Sequence, residues 1–320
     1  MKITLPPLEN IIYQKTGSQN IVKHLIAPQK IITIKILEQS RFYLIIDNDQ
    51  EELCLSTKVE YIPEGVNYAL LTNILPNQQR FEEDRITIKG WIRHPRLKEY
   101  LPHEINNSWK NDFAFKEEDG DEPCLRQPQI AALHMILGHL KLPLEAATVV
   151  MPTGTGKTET MLATLLAHRC EKLLVTVPSD SLRNQIADKF ITLGLLKQFG
   201  IIGNNSLYPA VGIIKNKFGN TEEITNFLEK CNVVITTMSW LTNQDAEIQI
   251  LFSKSFSHVF IDEAHHVKAS SWNELRNRFD NEKIIQFTAT PFRNDGKRLD
   301  GKIISNFLSK KLKNKGITRK

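Results

Sequence analysis

The chain has 320 residues, of which 41% are hydrophobic and 24% charged, and its formal net charge is +5. This length allows about two domains of ordinary size, and the composition excludes the disordered and collagen-like classes. No apolar run approaches the roughly 18 residues of a membrane-spanning helix. Pro6 and Pro7 interrupt the N-terminus, where the apolar part of a signal peptide would lie. The sequence therefore predicts a cytoplasmic protein with no membrane partner.

Cysteine usage agrees with a reducing compartment. The four cysteines are widely spaced along the chain: Cys54, Cys124, Cys170 and Cys231. They contain no C-x-x-C pair, so neither a disulfide framework nor a zinc site is indicated.

Residues 1–115 predict a smaller N-terminal domain of β-rich or α+β type whose role the sequence does not specify. Residues 31–37 and 42–46 are typical of a β-hairpin, and residues 85–91 of a further strand. Four aromatic residues belong to this part of the chain: Trp91, Trp109, Phe113 and Phe115. They could stack on nucleic-acid bases, but aromatics in a small domain more often form its core. DNA recognition, docking of a nuclease or modification subunit, and support of the remaining chain all stay open.

A change in charge marks the predicted domain boundary. Residues 116–123 are mostly acidic and are predicted to form a linker before a domain at 124–300. From residue 124 onward, 26 basic residues face 17 acidic ones, whereas 15 face 19 before it. A basic excess in this half fits a phosphate-rich partner. The basic segment 301–320 could contact a nucleic-acid backbone or be a solvated chain end.

Strand-like and helix-like segments alternate after the linker. The predicted strands are 146–150, 172–178, 211–214, 232–236, 258–261 and 283–287. The predicted helices are 157–170, 180–190 and 221–231. This alternation predicts an α/β fold with a parallel sheet wound by helices on both faces. Ligands of such sheets bind at the carboxyl ends of the strands.

A phosphate-binding loop follows the first of these strands. Residues 151–158 read M-P-T-G-T-G-K-T, and a strand, a Gly-rich turn and a helix in this order surround phosphate with backbone N–H groups. The loop residues expected to bind nucleotide are Pro152, Thr153, Gly154, Thr155, Gly156, Lys157 and Thr158. Lys157 supplies positive charge, and the hydroxyl of Thr158 is expected to bind Mg²⁺. The strict pattern has glycine where Met151 stands, so an ordinary Gly-rich turn with a surface lysine is the alternative.

The acidic half of an ATPase site follows about a hundred residues later. The apolar run 258–261 predicts a buried strand that delivers Asp262 and Glu263 to the carboxyl edge. Asp262 is expected to hold Mg²⁺, and Glu263 to polarise the water that attacks the γ-phosphate. The alternative is that the two acids lie at a solvent-exposed strand end or at a helix N-terminus, which favours acidic residues. With Lys157, these two residues form the predicted catalytic set.

These motifs, in this order, resemble the first RecA-like lobe of superfamily 2 DEAD/DEAH-box helicases. The spelling F-T-A-T-P-F-R at 287–293 is similar to that of type III restriction enzyme res subunits and related DNA translocases. The resemblance extends over residues 125–316. It implies a P-loop NTPase fold, ATP and Mg²⁺ as ligands, nucleic acid, expected to be DNA, as partner, and a role in restriction or phage defence.

The resemblance also assigns roles to residues outside the two ATPase motifs. Arg126 and Gln129 are expected on the adenine side, with Pro128 in place of the usual aromatic residue. The residues expected to contact nucleic acid are Pro178, Ser179, Arg183, Thr236 and Thr237. Those expected to couple the γ-phosphate to nucleic acid are His265, Thr288 and Thr290.

In the family, the chain continues into a second RecA-like lobe that completes the ATP cleft. Here the sequence ends after 320 residues, so we expect a fragment of a longer helicase, a truncated gene product, or a subunit whose second lobe comes from another chain. A lone lobe is expected to bind nucleotide but to hydrolyse it poorly, because an arginine contributed across the cleft accelerates phosphoryl transfer by about 10³ to 10⁵. Two functions remain open: the motor part of a helicase, or a nucleotide-dependent binding module with little turnover.

Overall fold

The computed structural model describes residues 2–33, 35–38, 43–46, 52–73, 87–116, 123–141, 145–266, 279, 284–292, 296 and 298–307, without the side chains of 2, 35–38, 43–46 and 266. The predicted linker, apart from residues 116 and 123, and the predicted basic segment from residue 308 lie outside this range. In the described part of the chain, no helix is both long and apolar enough to cross a membrane.

Sixteen strands and seven α-helices are assigned within these residues. The strands are β1 (Lys2–Leu5), β2 (Leu8–Gln14), β3 (Ile21–Ala27), β4 (Lys30–Thr33), β5 (Lys35–Glu38), β6 (Tyr43–Ile46), β7 (Glu52–Ser56), β8 (Tyr68–Thr72), β9 (Ile88–Arg93), β10 (Ala147–Val150), β11 (Leu173–Val177), β12 (Ala210–Ile213), β13 (Val233–Thr237), β14 (His258–Ile261), β15 (Ile284–Thr288) and β16 (Lys302–Asn306). The helices are α1 (Pro102–Ser108), α2 (Gln127–His139), α3 (Lys157–His168), α4 (Asp180–Thr192), α5 (Thr221–Leu228), α6 (Met238–Thr242) and α7 (Ala246–Ser255).

The chain packs as two units. The small unit comprises residues 1–10 and 25–99, and the large unit comprises residues 11–24 and 100–320. The domain limits that we predict at 115, 123 and 300 rest on composition and remain a prediction.

The small unit is rich in strands, as its sequence predicts, and all its described strand pairs are antiparallel except β7 with β8. A five-stranded sheet has the order β5-β6-β7-β8-β9, and β1 pairs separately with β4. The hairpin predicted from residues 31–37 and 42–46 is present in part as the antiparallel pair β5 and β6, whereas residues 31–33 belong to β4 and pair with β1. Leu53, Leu55 and Leu70 are buried together, and Trp91 packs against them. The indole N–H of Trp91 donates to the carbonyl oxygen of Pro6 at 3.1 Å, so this aromatic residue belongs to the core of the unit.

A nine-stranded sheet forms the centre of the large unit. Its order is β16-β10-β15-β14-β11-β13-β12-β3-β2. All neighbours from β16 to β12 are parallel, and β3 joins β12 in the antiparallel direction. Helices cover both faces, so the predicted α/β fold with a doubly wound parallel sheet is confirmed.

The central strands are buried on both faces, which explains their continuous apolar sequences. Every residue of β10, β11, β13 and β15 is buried. Helix starts coincide with side-chain caps: Ser179 Oγ accepts the N–H of Leu182, and Asn220 Oδ1 accepts that of Glu223. The sequence allows Trp109 either a place in the core or stacking on a base. In the structure it is 1% exposed, and its indole N–H donates to the carbonyl oxygen of Leu207.

The parallel arrangement places the predicted motifs on one edge of the sheet. The phosphate loop follows β10, Asp262 follows β14, Pro178 follows β11, and Thr237 and Thr288 end β13 and β15. The backbone N–H of Asp262 donates to the carbonyl oxygen of Thr176 on β11 at 2.9 Å. Residues distant in sequence therefore share the carboxyl edge, where ligands of such sheets bind.

Candidate nucleotide and nucleic-acid site

The loop after β10 has the conformation that its glycines allow. Gly154 and Gly156 adopt φ angles of 83° and 90°, which side chains with a Cβ rarely tolerate. The N–H of Met151 donates to the carbonyl oxygen of Thr288 at 2.8 Å, which fixes the start of the loop against β15. The side chain of Met151 is fully buried, and its Sδ lies 3.7 Å from the Thr160 hydroxyl. Methionine instead of glycine at this position is therefore accommodated by the core.

Two residues at the start of α2 hold this loop. The side-chain amide of Gln129 donates from Nε2 to the carbonyl oxygen of Gly156 at 3.2 Å, and its Oε1 accepts the N–H of Arg126 at 2.7 Å. The guanidinium of Arg126 donates to the carbonyl oxygen of Gly154 at 3.0 Å. Both side chains thus contact the phosphate loop itself, and the adenine contact expected for them stays a prediction.

A line of polar contacts runs from the loop to the end of β15. Nζ of Lys157 donates to Oε1 of Glu263 at 2.6 Å, and both side chains are largely buried. Oε2 of Glu263 lies 3.3 Å from Nδ1 of His265. The same Nδ1 lies 3.0 Å from the hydroxyl of Thr288, which donates to the carbonyl oxygen of Thr290 at 2.8 Å. The three predicted coupling residues are therefore connected to Lys157 and Glu263 of the predicted catalytic set.

Glu263 has an unusual backbone for a residue other than glycine. Its φ angle is 46°, in the left-handed region, a conformation that costs roughly 1–2 kcal/mol in an L-residue. Such strain concentrates at functional sites, because the surrounding structure must enforce it. The sharp turn after β14 directs the side chain of Glu263 toward Lys157, while Asp262 Oδ1 accepts the N–H of Glu263 at 3.0 Å.

Asp262 is a buried carboxyl group next to the largely buried carboxylate of Glu263. Burial, together with the neighbouring charge of Glu263, raises its pKa from 3.8 to about 6, although Lys157 and the N–H of Glu263 oppose the shift. The Oε2 atom of Glu263 has no hydrogen-bond partner among the described residues. Two adjacent buried carboxylates of this kind are stabilised when a cation binds between them and phosphate oxygens.

The donor set fits Mg²⁺ held partly by a nucleotide. In the part of the chain that the structure describes, no group of three or more His, Cys, Asp or Glu side chains is arranged to hold a metal alone. Mg²⁺ is commonly bound by one or two protein oxygens together with phosphate oxygens and water. Asp262 and the hydroxyl of Thr158, the second residue of α3, are the oxygens available for this role.

The predicted nucleic-acid residues share the carboxyl edge but differ in exposure. Pro178 and Ser179 are accessible after β11, whereas Arg183 is buried and donates to Asp180 Oδ1 at 2.6 Å. Thr236 is fully buried, and Thr237 is nearly so, its hydroxyl accepting the N–H of Trp240 at the start of α6. These two threonines shape the edge around the exposed residues, and direct contact of all five with nucleic acid stays a prediction.

Comparison with known proteins assigns the family. The family model described as "Type III restriction enzyme, res subunit" matches residues 122–293, which is just over half of the chain. The chain belongs to this family. A search of curated proteins finds no match.

Solved structures of a helicase and of a restriction-modification enzyme align with the chain over about three fifths of its length. The UvsW helicase from bacteriophage T4 matches at 16% identity and a TM-score of 0.39 over 61% of this chain and 62% of that one. A second T4 UvsW structure matches at 16% identity and a TM-score of 0.38, over 60% and 35%. A nuclease-deletion mutant of the type ISP restriction-modification enzyme LlaGI, in complex with a DNA substrate mimic, gives 19% identity and a TM-score of 0.42, over 61% and 21%. The chain thus spans less than two thirds of each.

With the family shown, the sheet of the large unit is a RecA-like ATP-binding lobe of superfamily 2 helicase type. Sequence reasoning did not find two parts of it. Strand β16 pairs in parallel with β10, and residues 11–24 belong to the large unit through β2 and β3. The places of β16, β2 and β3 in the sheet depend on pairing with residues distant in sequence, so their own sequences contain no local signal of that pairing.

Proposed function

We propose that the large unit binds ATP with Mg²⁺ and hydrolyses it as the first lobe of a DEAH-type motor that acts on nucleic acid. The contact between Lys157 and Glu263 is the main support, because it connects the phosphate loop to the acidic motif at 2.6 Å. In this pairing a lysine ammonium and a carboxylate share a largely buried space at the carboxyl edge. A γ-phosphate fits the same position, since it would take the lysine as its counter-ion and leave the carboxylate facing water.

Each residue has a distinct task in this proposal. The N–H groups of the loop and Lys157 bind and orient the β- and γ-phosphates. Thr158 and Asp262 hold Mg²⁺, which when bound neutralises charge that develops on the phosphate oxygens. Glu263 orients a water molecule in line with the γ-phosphate and accepts its proton. Through their hydrogen bonds, His265 and Thr288 connect the position of Glu263 to Thr290, just after the end of β15.

The partner in the proposal is DNA, bound across the carboxyl edge near Ser179 and Thr237. The basic excess after residue 124 supports a polyanion, and the family supports restriction or phage defence as the setting. A second RecA-like lobe, in a longer protein or another chain, would complete the cleft, and a nuclease or modification subunit is a further partner compatible with the family.

Nucleotide titration tests the proposal. We expect Lys157→Ala to weaken the binding of a non-hydrolysable ATP analogue, measured by calorimetry with Mg²⁺, by more than about tenfold, or 1.4 kcal/mol. Lys254→Ala, at an exposed position near the end of α7, removes the same charge far from the loop and should bind like the wild type. Equal affinity of folded Lys157→Ala and wild type contradicts the phosphate-loop assignment. ATP turnover with and without DNA then tests the motor.

A further inference from the structure

The turn between β2 and β3 lies at the same sheet edge as the ATPase motifs. Strand β3 runs antiparallel to β12, with Ile21 opposite Ile213. Because β12 ends at Ile213, the chain before Ile21 lies beside the chain that follows β12. Residues 15–20 are therefore at the carboxyl edge, although they precede the ATPase motifs by more than a hundred residues.

Asn20 joins this turn to the segment after β12. Its side chain is 1% exposed, and its Oδ1 accepts the N–H groups of both Lys215 and Asn216, at 2.8 and 2.9 Å. Its Nδ2 donates to the carbonyl oxygen of Asn216 at 3.0 Å. One buried amide thus satisfies three backbone groups of a neighbouring loop, which fixes the position of Lys215.

The same loop is tied to the predicted nucleic-acid residues. The indole N–H of Trp240 donates to the carbonyl oxygen of Asn216 at 3.1 Å. The backbone N–H of Trp240 donates to the hydroxyl of Thr237. A continuous set of hydrogen bonds therefore runs from Asn20 through Asn216 to Thr237, and the turn and the edge form one surface.

A groove of about 410 Å³, lined by both polar and apolar side chains, lies between this turn, β12 and α4. Ser18 and Gln19 of the turn, Lys215, and Asn184 and Asp188 of α4 are among its lining residues. Helix α4 begins at the carboxyl edge directly after Ser179. Asn184 is therefore nearer to that edge than Asp188, which stands one helical turn farther along.

We propose that this groove binds the sugar-phosphate backbone of a nucleic-acid strand, extending the surface around Ser179 and Thr237 onto the β2–β3 turn. This inference rests on the proposed function, because it assigns a further contact to the same ligand. Phosphate oxygens accept hydrogen bonds from hydroxyl, amide and ammonium groups. The ammonium groups of Lys215, near the edge, and of Lys23, farther along β3, supply positive charge, and Asp188 repels the strand at the inner end of the groove.

Two substitutions of opposite sign test the groove. Fluorescence anisotropy of a labelled single-stranded DNA with the full chain is measured over a series of salt concentrations. Lys215→Gln should weaken binding several-fold and reduce the slope of log affinity against log salt by about 0.7, the value for one phosphate contact in a single strand. Asp188→Asn should strengthen binding, because it removes the repelling carboxylate.

Matched controls separate the groove from net charge. Lys254→Gln and Glu229→Gln make the same charge changes near the starts of β14 and β13, at the opposite edge of the sheet. That edge is farther away than the screening length of about 8 Å at 0.15 M salt, so both controls should bind DNA like the wild type. All four variants should keep wild-type affinity for the ATP analogue, which reports an intact lobe.

The outcomes distinguish this inference from the proposed function. If wild type binds DNA while Lys215→Gln and Asp188→Asn behave like their controls, the groove assignment is wrong and the motor proposal stands. If wild type binds the ATP analogue but no DNA even at low salt, the groove fails together with the nucleic-acid part of the proposed function. Opposite shifts for the two groove variants support the inference.

Discussion

Gln129 lies so close to Gly156 that no other residue can replace this glycine without displacement. A Cβ built at position 156 would overlap Nε2 of Gln129, the atom that donates to the Gly156 carbonyl oxygen. At Gly154, in contrast, a Cβ would meet no atom within 4 Å. Both glycines have positive φ angles, 83° and 90°, so a side chain would strain the backbone at either position, but the two positions differ in packing.

This difference predicts unequal effects of two identical substitutions. Gly154→Ala should cost about 1–2 kcal/mol through its φ angle alone. Gly156→Ala should cost a further 1–3 kcal/mol or so, because the new methyl group must displace a packed side chain. The free energy of unfolding, measured by urea titration, gives both values. The double substitution Gln129→Ala with Gly156→Ala should recover part of the second cost, and equal losses at 154 and 156 would refute the packing argument.

Glu263→Gln should separate nucleotide binding from hydrolysis. The amide retains the shape of the side chain but cannot accept a proton from water, and it no longer competes as an anion for Lys157. We therefore expect affinity for Mg²⁺ and ATP at least equal to that of wild type, with loss of any single-turnover hydrolysis. Fluorescent nucleotide titration and quenched turnover on the same preparation provide the two readings. Loss of both would instead make Glu263 a metal ligand or a structural residue.

Sequence predicted those parts of the lobe whose signals are local. Strand β14 was predicted with its observed bounds, because a four-residue apolar run ends abruptly in two acids at Asp262. The helical spacing of residues 180–190 predicts the helix that the structure shows at Asp180–Thr192. In contrast, the register of Ile21 against Ile213 depends on partners almost two hundred residues apart, which no local pattern encodes.

The chemistry of the site was predictable by residue type but not by geometry. The motifs specify Lys157 and Glu263, yet the direct contact between them depends on the left-handed φ angle of Glu263. Sequence does not predict this conformation, because residues with long side chains rarely adopt it. Similarly, the hydrogen bond from the Gln129 amide to the Gly156 carbonyl oxygen does not follow from the motif, and the adenine contact predicted for Gln129 remains a prediction. Long-range packing decides which partner a polar side chain meets.

His24 makes the stability of the large unit dependent on pH. It is fully buried on β3, with its ring edge-on to Tyr100 at 5.5 Å. Burial lowers its pKa from 6.5 to about 4, and the nearby backbone of Tyr208 opposes the shift only in part. The folded protein therefore keeps a neutral ring between pH 6.5 and 4, while the unfolded chain binds a proton there.

The stabilisation from a neutral His24 is complete above pH 6.5 and is lost as the pH falls toward 4. From pH 7 to pH 5 this loss amounts to about 2 kcal/mol. His24→Gln, which cannot bind the proton, should lose that much less over the same interval, even if it is less stable at pH 7. Urea titrations at several pH values give the difference. Parallel pH profiles of variant and wild type would show that His24 does not titrate with folding.

The last prediction concerns coupling between nucleotide and nucleic acid. His265 and Thr288 connect Glu263 to Thr290. The described residues therefore contain the contacts with which one lobe could couple nucleotide to nucleic acid. A ligand shifts an equilibrium only through its different affinity for two states, and in this family those states differ by closure of two RecA-like lobes. The described residues contain one parallel sheet of this kind.

For the 320-residue chain we therefore expect single-stranded DNA binding that is weak, salt-sensitive and almost independent of a non-hydrolysable ATP analogue. Anisotropy with and without the analogue measures this directly, with Lys157→Ala as the nucleotide-blind control. A change above about tenfold, or 1.4 kcal/mol, seen in wild type and absent from the control, would mean that the small unit or self-association supplies the second surface.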